Sequence, residues 1–367
     1  GSTKLRFVMD FLRSGVNGRG WCRERVVLPR LTDFVNSALD IMVAVWSYHG
    51  PEQVMTHVGF LVVDFSDAFY LIHAAPKEQG WLVFKCAAGW AVFQRICFGM
   101  VTAPLIWGRV AAAAARIAQA AFAPHELRVQ MFVDDPAIVL GGPERVRRRL
   151  GGLLLLLWTV MGLRINWPKG QWGSQVEWIG TSISLQEMAS GPAVRCELTE
   201  KKTEEVINLV DELYHTKGMT DTKKVLRLAG LLAWISGLYP WMRSYNSALW
   251  ATITSTREEA QGHQEWGTKR RTARKRPSYL IFVKRFHPAL VWIRSLFQGV
   301  VNQEARLGRW FPLECRLHEP KSVIRCDASP GGMGGILLHK GVVQEFWADE
   351  VTDQDLAFFK AERESTW

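Results

Sequence analysis

The residues best suited to chemistry in this 367-residue chain are three carboxylates, Asp64 and the adjacent pair Asp134 and Asp135. Residues 57 to 65, His-Val-Gly-Phe-Leu-Val-Val-Asp-Phe, form a continuous apolar, β-branched run, which places Asp64 at the C-terminal end of a strand buried on both faces. Asp134 and Asp135 lie between two strand-like runs, Leu127 to Phe132 and Ala137 to Leu140, and read as a charged tight turn inside an apolar hairpin. Carboxylates converging from separate strand ends suit phosphoryl transfer by two divalent cations about 3.5–4 Å apart, one activating the attacking hydroxyl and the other stabilising pyrophosphate. Taken singly, Asp64 reads equally well as a helix cap ahead of Ala68, and Asp134-Asp135 as an ordinary turn.

The elements that must position these groups follow from the pattern of the chain. Trp81 to Cys86 and Trp90 to Ile96, separated by Ala87-Ala88-Gly89, read as a hairpin. The alanine-rich stretch from Thr102 to Phe122 is helical by propensity, with Pro104 tolerated in its first turn. Glu144 to Met161 is a further helix, and Val176 to Leu185 returns to β character. This order implies an α+β fold, an antiparallel sheet backed by helices. Beyond Glu187 the text reads as helical, with amphipathic segments at Glu200 to His215 and Thr222 to Ser236 that form a separate all-α unit. Residues 256 to 277 carry Lys269, Arg270, Arg271, Arg274, Lys275 and Arg276 with no apolar face, and read as an exposed linker or loop. From Lys321 a strand runs to Asp327 and a glycine-rich turn follows.

A formal charge of +10 and a pI near 9.4 suit a polyanionic partner. The six cysteines include no C-x-x-C pair, which argues against a zinc site or a disulfide framework and for a reducing compartment. The most apolar stretch, Leu153 to Met161, is far shorter than the roughly 20 residues a bilayer needs. No signal peptide opens the chain; Gly1-Ser2 reads as a cloning remnant and the front as trimmed.

The neighbours of the carboxylates carry a resemblance. Val62-Val63-Asp64-Phe65-Ser66-Asp67-Ala68-Phe69 resembles motif A of reverse transcriptases, Phe98-Gly99-Met100-Val101-Thr102-Ala103-Pro104 their motif B, and Phe132-Val133-Asp134-Asp135 their motif C. Lys4 to Asp10 with Leu28-Pro29-Arg30 is similar to the fingers of retroviral and long-terminal-repeat retrotransposon enzymes, and with Phe69, Gly99, Gly230 and Trp234 the chain resembles a reverse transcriptase of the long-terminal-repeat or tyrosine-recombinase (DIRS-like) retroelement type. Gly162 to Asn166 with Lys169 looks like motif D, Val176 to Gly180 like the primer grip, and Leu228 to Trp234 with Tyr239-Pro240 like the thumb helix. Val323 to Ser329 resembles the first strand of a ribonuclease H domain.

The resemblance implies a right-hand polymerase: fingers at 1–56, incomplete at the front, and a palm at 57–185 with an inserted fingers hairpin near 81–96. A thumb at 186–255, a basic connection at 256–320 and an incomplete, inactive ribonuclease H-like segment at 321–367 would follow. Asp64 and Asp134 would hold Mg²⁺, or alternatively Mn²⁺, with the Phe65 carbonyl assisting and Asp135 a weaker partner. Lys4 and Arg6 would meet the triphosphate, Arg6 by bidentate guanidinium pairing. Phe69 would exclude a 2′-hydroxyl, Phe98 and Gly99 would line the nucleotide pocket, and Lys169 would serve the leaving pyrophosphate. Trp178 and Gly180 would place the primer end, while Gly230 and Trp234 would face the minor groove. Asp327 would be a ribonuclease H remnant.

The implied activity is RNA-directed DNA polymerisation from deoxynucleoside triphosphates on an RNA or DNA template-primer. The implied setting is cytoplasmic or nuclear, or a retroelement particle, with no membrane. Two alternatives remain at this stage: a non-catalytic nucleic-acid-binding remnant on the same fold, and an RNA-dependent RNA polymerase.

Overall fold

In a computed structural model the chain divides into two compact units, Gly1–Phe311 and Pro312–Trp367. The structure describes residues 8–20, 24, 26–261, 279–298, 308–317, 322–329, 332–339, 342–350 and 352. In the larger unit a short helix α1 (Val16–Arg19) precedes α2 (Leu31–His49), the single turn α3 (Val54–His57) and strand β1 (Val58–Val62). A hairpin of β2 (Val83–Cys86) and β3 (Gly89–Val92) is followed by α4 (Ala103–Ala121), β4 (Leu127–Phe132), β5 (Asp135–Gly141) and α5 (Glu144–Val160). Then come β6 (Gln171–Gly173), β7 (Gln175–Trp178), β8 (Thr181–Met188) and β9 (Gly191–Leu198).

β1 is the strand on which the site depends. It pairs antiparallel with β5 on one side, Val58 opposite Gly141 and Val62 opposite Ala137, and with β6 on the other, giving the order β4-β5-β1-β6. All five of its residues are buried because helices cover both faces of the sheet. Leu61 and, just past the strand, Val63 pack with Trp107, Ala111, Ala114 and Ala118 of α4 and Leu150, Leu154 and Trp158 of α5. Phe60 meets Phe34 of α2 on the opposite face, ring centroids 5.4 Å apart. The residues 31–49, expected in the fingers, therefore form a layer on the central sheet, because Phe34, Ala38, Ile41, Met42 and Val45 recur at helical spacing and are buried.

Residues 8–20 and the β2–β3 hairpin meet in a smaller core, where Phe11, Ala74, Leu82 and Cys97 are buried. A parallel bridge joins Val8 to Phe98.

Two sequence expectations change beyond the sheet. The text after Glu187 is not helical: it completes β8 and turns through Gly191, at φ +106°, into β9, so the helices begin at Glu200 rather than at 186. The signal was the turn-forming Ser190-Gly191-Pro192, ahead of a run in which Val194, Cys196 and Leu198 are buried at period two. The helical unit comprises α6 (Glu200–His215), β10 (Met219–Asp221), α7 (Thr222–Ile235), α8 (Met242–Gln261), β11 (Leu280–Phe282) and α9 (His287–Gln298). β11 pairs with β10, and α9 packs on α6 and α8. Residues 279–298 are thus part of the helical unit rather than of a linker, since Ala289, Leu290, Ile293 and Phe297 form a buried face. The basic cluster Lys269 to Arg276 lies outside the described residues. β12 (Gly308–Pro312) flanks β9.

In the smaller unit the turn α10 (Glu314–Leu317) precedes an antiparallel meander of β13 (Ser322–Ser329), β14 (Gly332–His339) and β15 (Val342–Glu350).

Arg147 of α5 ties the start of β1 to the helix layer. Its nearly buried guanidinium donates to the carbonyls of Gly142 (3.0 Å), Val58 (3.3 Å) and Thr56 (2.7 Å). Gly59 leaves it room, since a Cβ there would lie 2.1 Å from the guanidinium. Arg147→Met strips all three carbonyls of their donor and is expected to lower unfolding stability by about 3 kcal/mol, read from the urea midpoint at unchanged slope.

Candidate active site

The three carboxylates converge at one end of the central sheet. Beyond β1 the chain stays bonded to the β4–β5 hairpin: the Val63 amide donates to the Pro136 carbonyl (3.1 Å) and the Phe65 amide to the Asp134 carbonyl (2.8 Å). Phe132 pairs with Asp135, so Val133 and Asp134 form a two-residue hairpin loop. Val133 has φ +56°, at a loop position where glycine is the usual solution, and such strain costs of order 1–3 kcal/mol for a β-branched residue.

Asp64 and Asp134 line one open cleft of about 300 Å³ together with Phe65, Ser66, Asp67, Ala68, Phe69, Phe98, Val133, Asn166 and Lys169. The Asp64 carboxylate is only 14% exposed and is held from two sides. Asn166 Nδ2 donates to its Oδ2 (2.8 Å), and Lys169 Nζ pairs with its Oδ1 (3.0 Å). The chain reaches this position because residues 164–166 run antiparallel beside 64–66: Phe65 bridges Ile165, the Ser66 amide donates to the Arg164 carbonyl and the Asn166 amide to the Asp64 carbonyl. Asn166 is a site residue to which sequence reading gave no role; its three-residue spacing to Lys169 after the Gly162 turn was the available signal.

Asp135 faces the same charge cluster. Burial, then the charges of Asp134 and Asp64 and a hydrogen bond with the Asp64 side chain, push its carboxyl from near 3.8 up to about 6, partly offset by Lys169. Among the described residues no three His, Cys, Asp or Glu side chains stand grouped as a ready metal cage. The donor set nevertheless fits a hard divalent cation: the carboxylates of Asp64, Asp67 and Asp134 and the Phe65 residue border one cleft, and the Lys169 ammonium on Asp64 is a cation already standing in the cluster.

The remaining candidates are distributed as follows. Phe69 lines the cleft against Phe98, centroids 5.1 Å apart. Gly99 does not border the cleft: at φ +101° its Cβ would strike the Met9 carbonyl at 2.1 Å, so it is glycine because the chain at Met9 crosses it. Trp178 is 2% exposed, packed between Phe34 and Phe132, and donates from Nε1 to the Asp135 carbonyl (2.9 Å). It therefore cannot itself lie against a primer. Gly180 follows it at φ +79°, and a Cβ there would lie 2.9 Å from Lys202 Cγ. Gly230 is exposed on α7 with nothing within 4 Å of a built Cβ, so helix packing does not require it; half-buried Trp234 lies one turn on. Lys4 and Arg6 lie outside the described residues; Asp327 sits in β13 opposite Gly334, and its side chain likewise lies outside them.

The central antiparallel sheet thus presents clustered aspartates from a strand end and a hairpin turn, with a phenylalanine-lined cleft beside them. Residues 24–183, which contain all three carboxylates, match the family model described as reverse transcriptase (RNA-dependent DNA polymerase). This segment is therefore similar to the reverse transcriptase domain, a family of RNA-directed DNA polymerases. Among solved structures the chain is similar to a foamy viral protease-reverse transcriptase dRH in complex with double-stranded DNA, with TM-score 0.49 and 15% identity over 96% of this chain and 50% of that one. It is also similar to the foamy viral protease-reverse transcriptase in complex with an RNA/DNA hybrid, with TM-score 0.46 and 14% identity over 98% and 41%. The chain thus spans half or less of these proteins. No curated protein matches it. No described helix is long and apolar enough to cross a membrane.

The raised Asp135 value has a definite sign. A carboxyl that holds its proton more tightly when folded contributes stability that is complete below about pH 4 and is lost as pH rises through about 6. In the absence of divalent metal, Asp135→Asn should therefore gain stability relative to wild type between pH 4 and 7, measured as the difference between their urea midpoints. A difference independent of pH would contradict the charge cluster.

Proposed function

We propose that this chain extends a nucleic-acid primer by RNA-directed DNA polymerisation, with Asp64 and Asp134 as the indispensable metal-binding carboxylates. The observation that carries the reading is the shared cleft: two aspartates from different strand ends face the same open space as a pair of phenylalanines in tilted ring contact.

Divalent Mg²⁺, for which Mn²⁺ can substitute, would be held by Asp64, Asp134 and the Phe65 carbonyl and would supply charge stabilisation to in-line attack on the α-phosphate. The protein's own residues do the positioning. Asn166 fixes the rotamer of Asp64 and Lys169 neutralises it; the Lys169 ammonium, standing at the cleft, would also meet the leaving pyrophosphate. Asp135, hydrogen-bonded to Asp64, tunes the charge of the cluster, which makes it more tolerant of replacement than the other two. Phe69, buttressed by Phe98, presents its ring to the sugar and rejects a 2′-hydroxyl by contact. Gly230 and Trp234 offer a flat face on α7 for the template-primer, and Arg6 meets the triphosphate. The substrates are deoxynucleoside triphosphates and a primed RNA or DNA template, and the source is a retroelement.

Primer extension on poly(rA)/oligo(dT) should proceed with wild type and fall at least about a hundredfold in Asp134→Asn, the scale of losing one preorganised electrostatic group. Equal activity in both proteins contradicts the assignment, and no activity in either favours a nucleic-acid-binding remnant. Phe69→Val should admit ribonucleotides while retaining deoxynucleotide incorporation, scored as the ratio of the two kcat/KM values; an unchanged ratio removes the sugar-gate role.

A further inference from the structure

The aspartate turn is gripped at three successive carbonyls. That of Val133 accepts from Trp107 Nε1 at 2.9 Å, that of Asp134 from the Phe65 amide at 2.8 Å, and that of Asp135 from Trp178 Nε1 at 2.9 Å. The donors come from α4, from the chain past β1 and from β7, so three separate elements fix one two-residue loop. Both indoles are fully buried and their N–H groups have no alternative donor role with water. The grip is applied where the backbone most needs it, since Val133 sits at φ +56° and left alone would relax to negative φ.

We propose that Trp107 and Trp178 are positioning residues whose indole N–H groups clamp the Val133–Asp134 loop and thereby set the aim of Asp134 at the metal position. Neither ring enters the cleft, so neither is catalytic. The proposal rests on the reading of Asp64 and Asp134 as metal ligands. It explains why two tryptophans, rather than two phenylalanines, stand at these buried positions.

The structure supplies its own control. Trp158 of α5 lies in the same core as Trp107, is equally buried, and presses on the same Phe65 ring at 5.3 Å, against 6.1 Å for Trp107. Its Nε1 has no hydrogen-bond partner among the described residues. Trp158→Phe therefore removes the same ring volume from the same core without removing a bond to the turn.

Three variants, Trp107→Phe, Trp178→Phe and Trp158→Phe, are compared with wild type in three measurements. These are Mn²⁺ binding without nucleic acid, followed by the spectrum of the free ion; hydrogen exchange of the Phe65 amide in metal-free protein; and thermal unfolding. Trp107→Phe and Trp178→Phe should each weaken Mn²⁺ binding by about tenfold or more, the usual effect of losing a group that orients a ligand, and should speed exchange at Phe65. Trp158→Phe should lower Tm by a comparable amount yet change Mn²⁺ binding by less than about twofold.

If all three variants behave alike, or if Trp107→Phe and Trp178→Phe bind and exchange as wild type does, the clamp is overturned. A wild type that binds Mn²⁺ without extending a primer refutes the polymerase reading alone. A wild type that binds no Mn²⁺ refutes the metal-site reading, and the exchange comparison still decides whether the indoles hold the turn.

Discussion

Mutual repulsion among three carboxylates is the constraint around which this structure is arranged. Burial, together with the charges of Asp134 and Asp64, pushes the Asp135 carboxyl up to about 6, and Asp135 shares a hydrogen bond with Asp64. Bringing such groups together opposes folding, so the rest of the fold must hold them there. Part of the opposing force is local: Lys169 and Asn166 occupy both oxygens of Asp64. The larger part is the sheet itself, whose central strand is buried on both faces between α2 and the α4–α5 pair.

That layered packing fixes register, and register fixes chemistry. Val62 opposite Ala137 and Phe132 opposite Asp135 leave a loop of only two residues, into which Val133 is forced at positive φ. A relaxed loop would need glycine there. The chain instead holds the strained form by hydrogen bonds to three neighbouring carbonyls, and so converts the rigidity of the core into a fixed direction for Asp134. Gly59 serves the same end at the other extremity of β1, where its missing side chain admits the Arg147 guanidinium.

Much of this was legible in the amino-acid sequence. The apolar run ending at Asp64 and the acidic turn inside an apolar hairpin announced both halves of the site, and the alanine-rich and leucine-rich helices announced its backing. The α+β class followed from the order of those elements. What was not legible depended on contacts between distant segments. Gly99 read as a residue making room for a nucleotide, whereas the crossing strand at Met9 is what demands it. Trp178 read as a primer contact because a surface role and a buried one look alike in a single aromatic letter; its burial between Phe34 and Phe132 decides the matter. Strand β9 reads as helical because its alternation is broken by the buried Pro192-Ala193-Val194 and outweighs neither the helices after it nor their charge pattern, and α9 is masked by the charged stretch before it.

The proposed polymerase chemistry requires Asp64 and Asp134 to act together on cations in one cleft. The most direct measurement is the anomalous scattering of a crystal grown with Mn²⁺, a primed template and an unreactive deoxynucleotide. The proposed function predicts two peaks about 3.5–4 Å apart beside Asp64 and Asp134, with Lys169 displaced from Asp64. Lys169 still paired to Asp64, with no ion between the two aspartates, would contradict it.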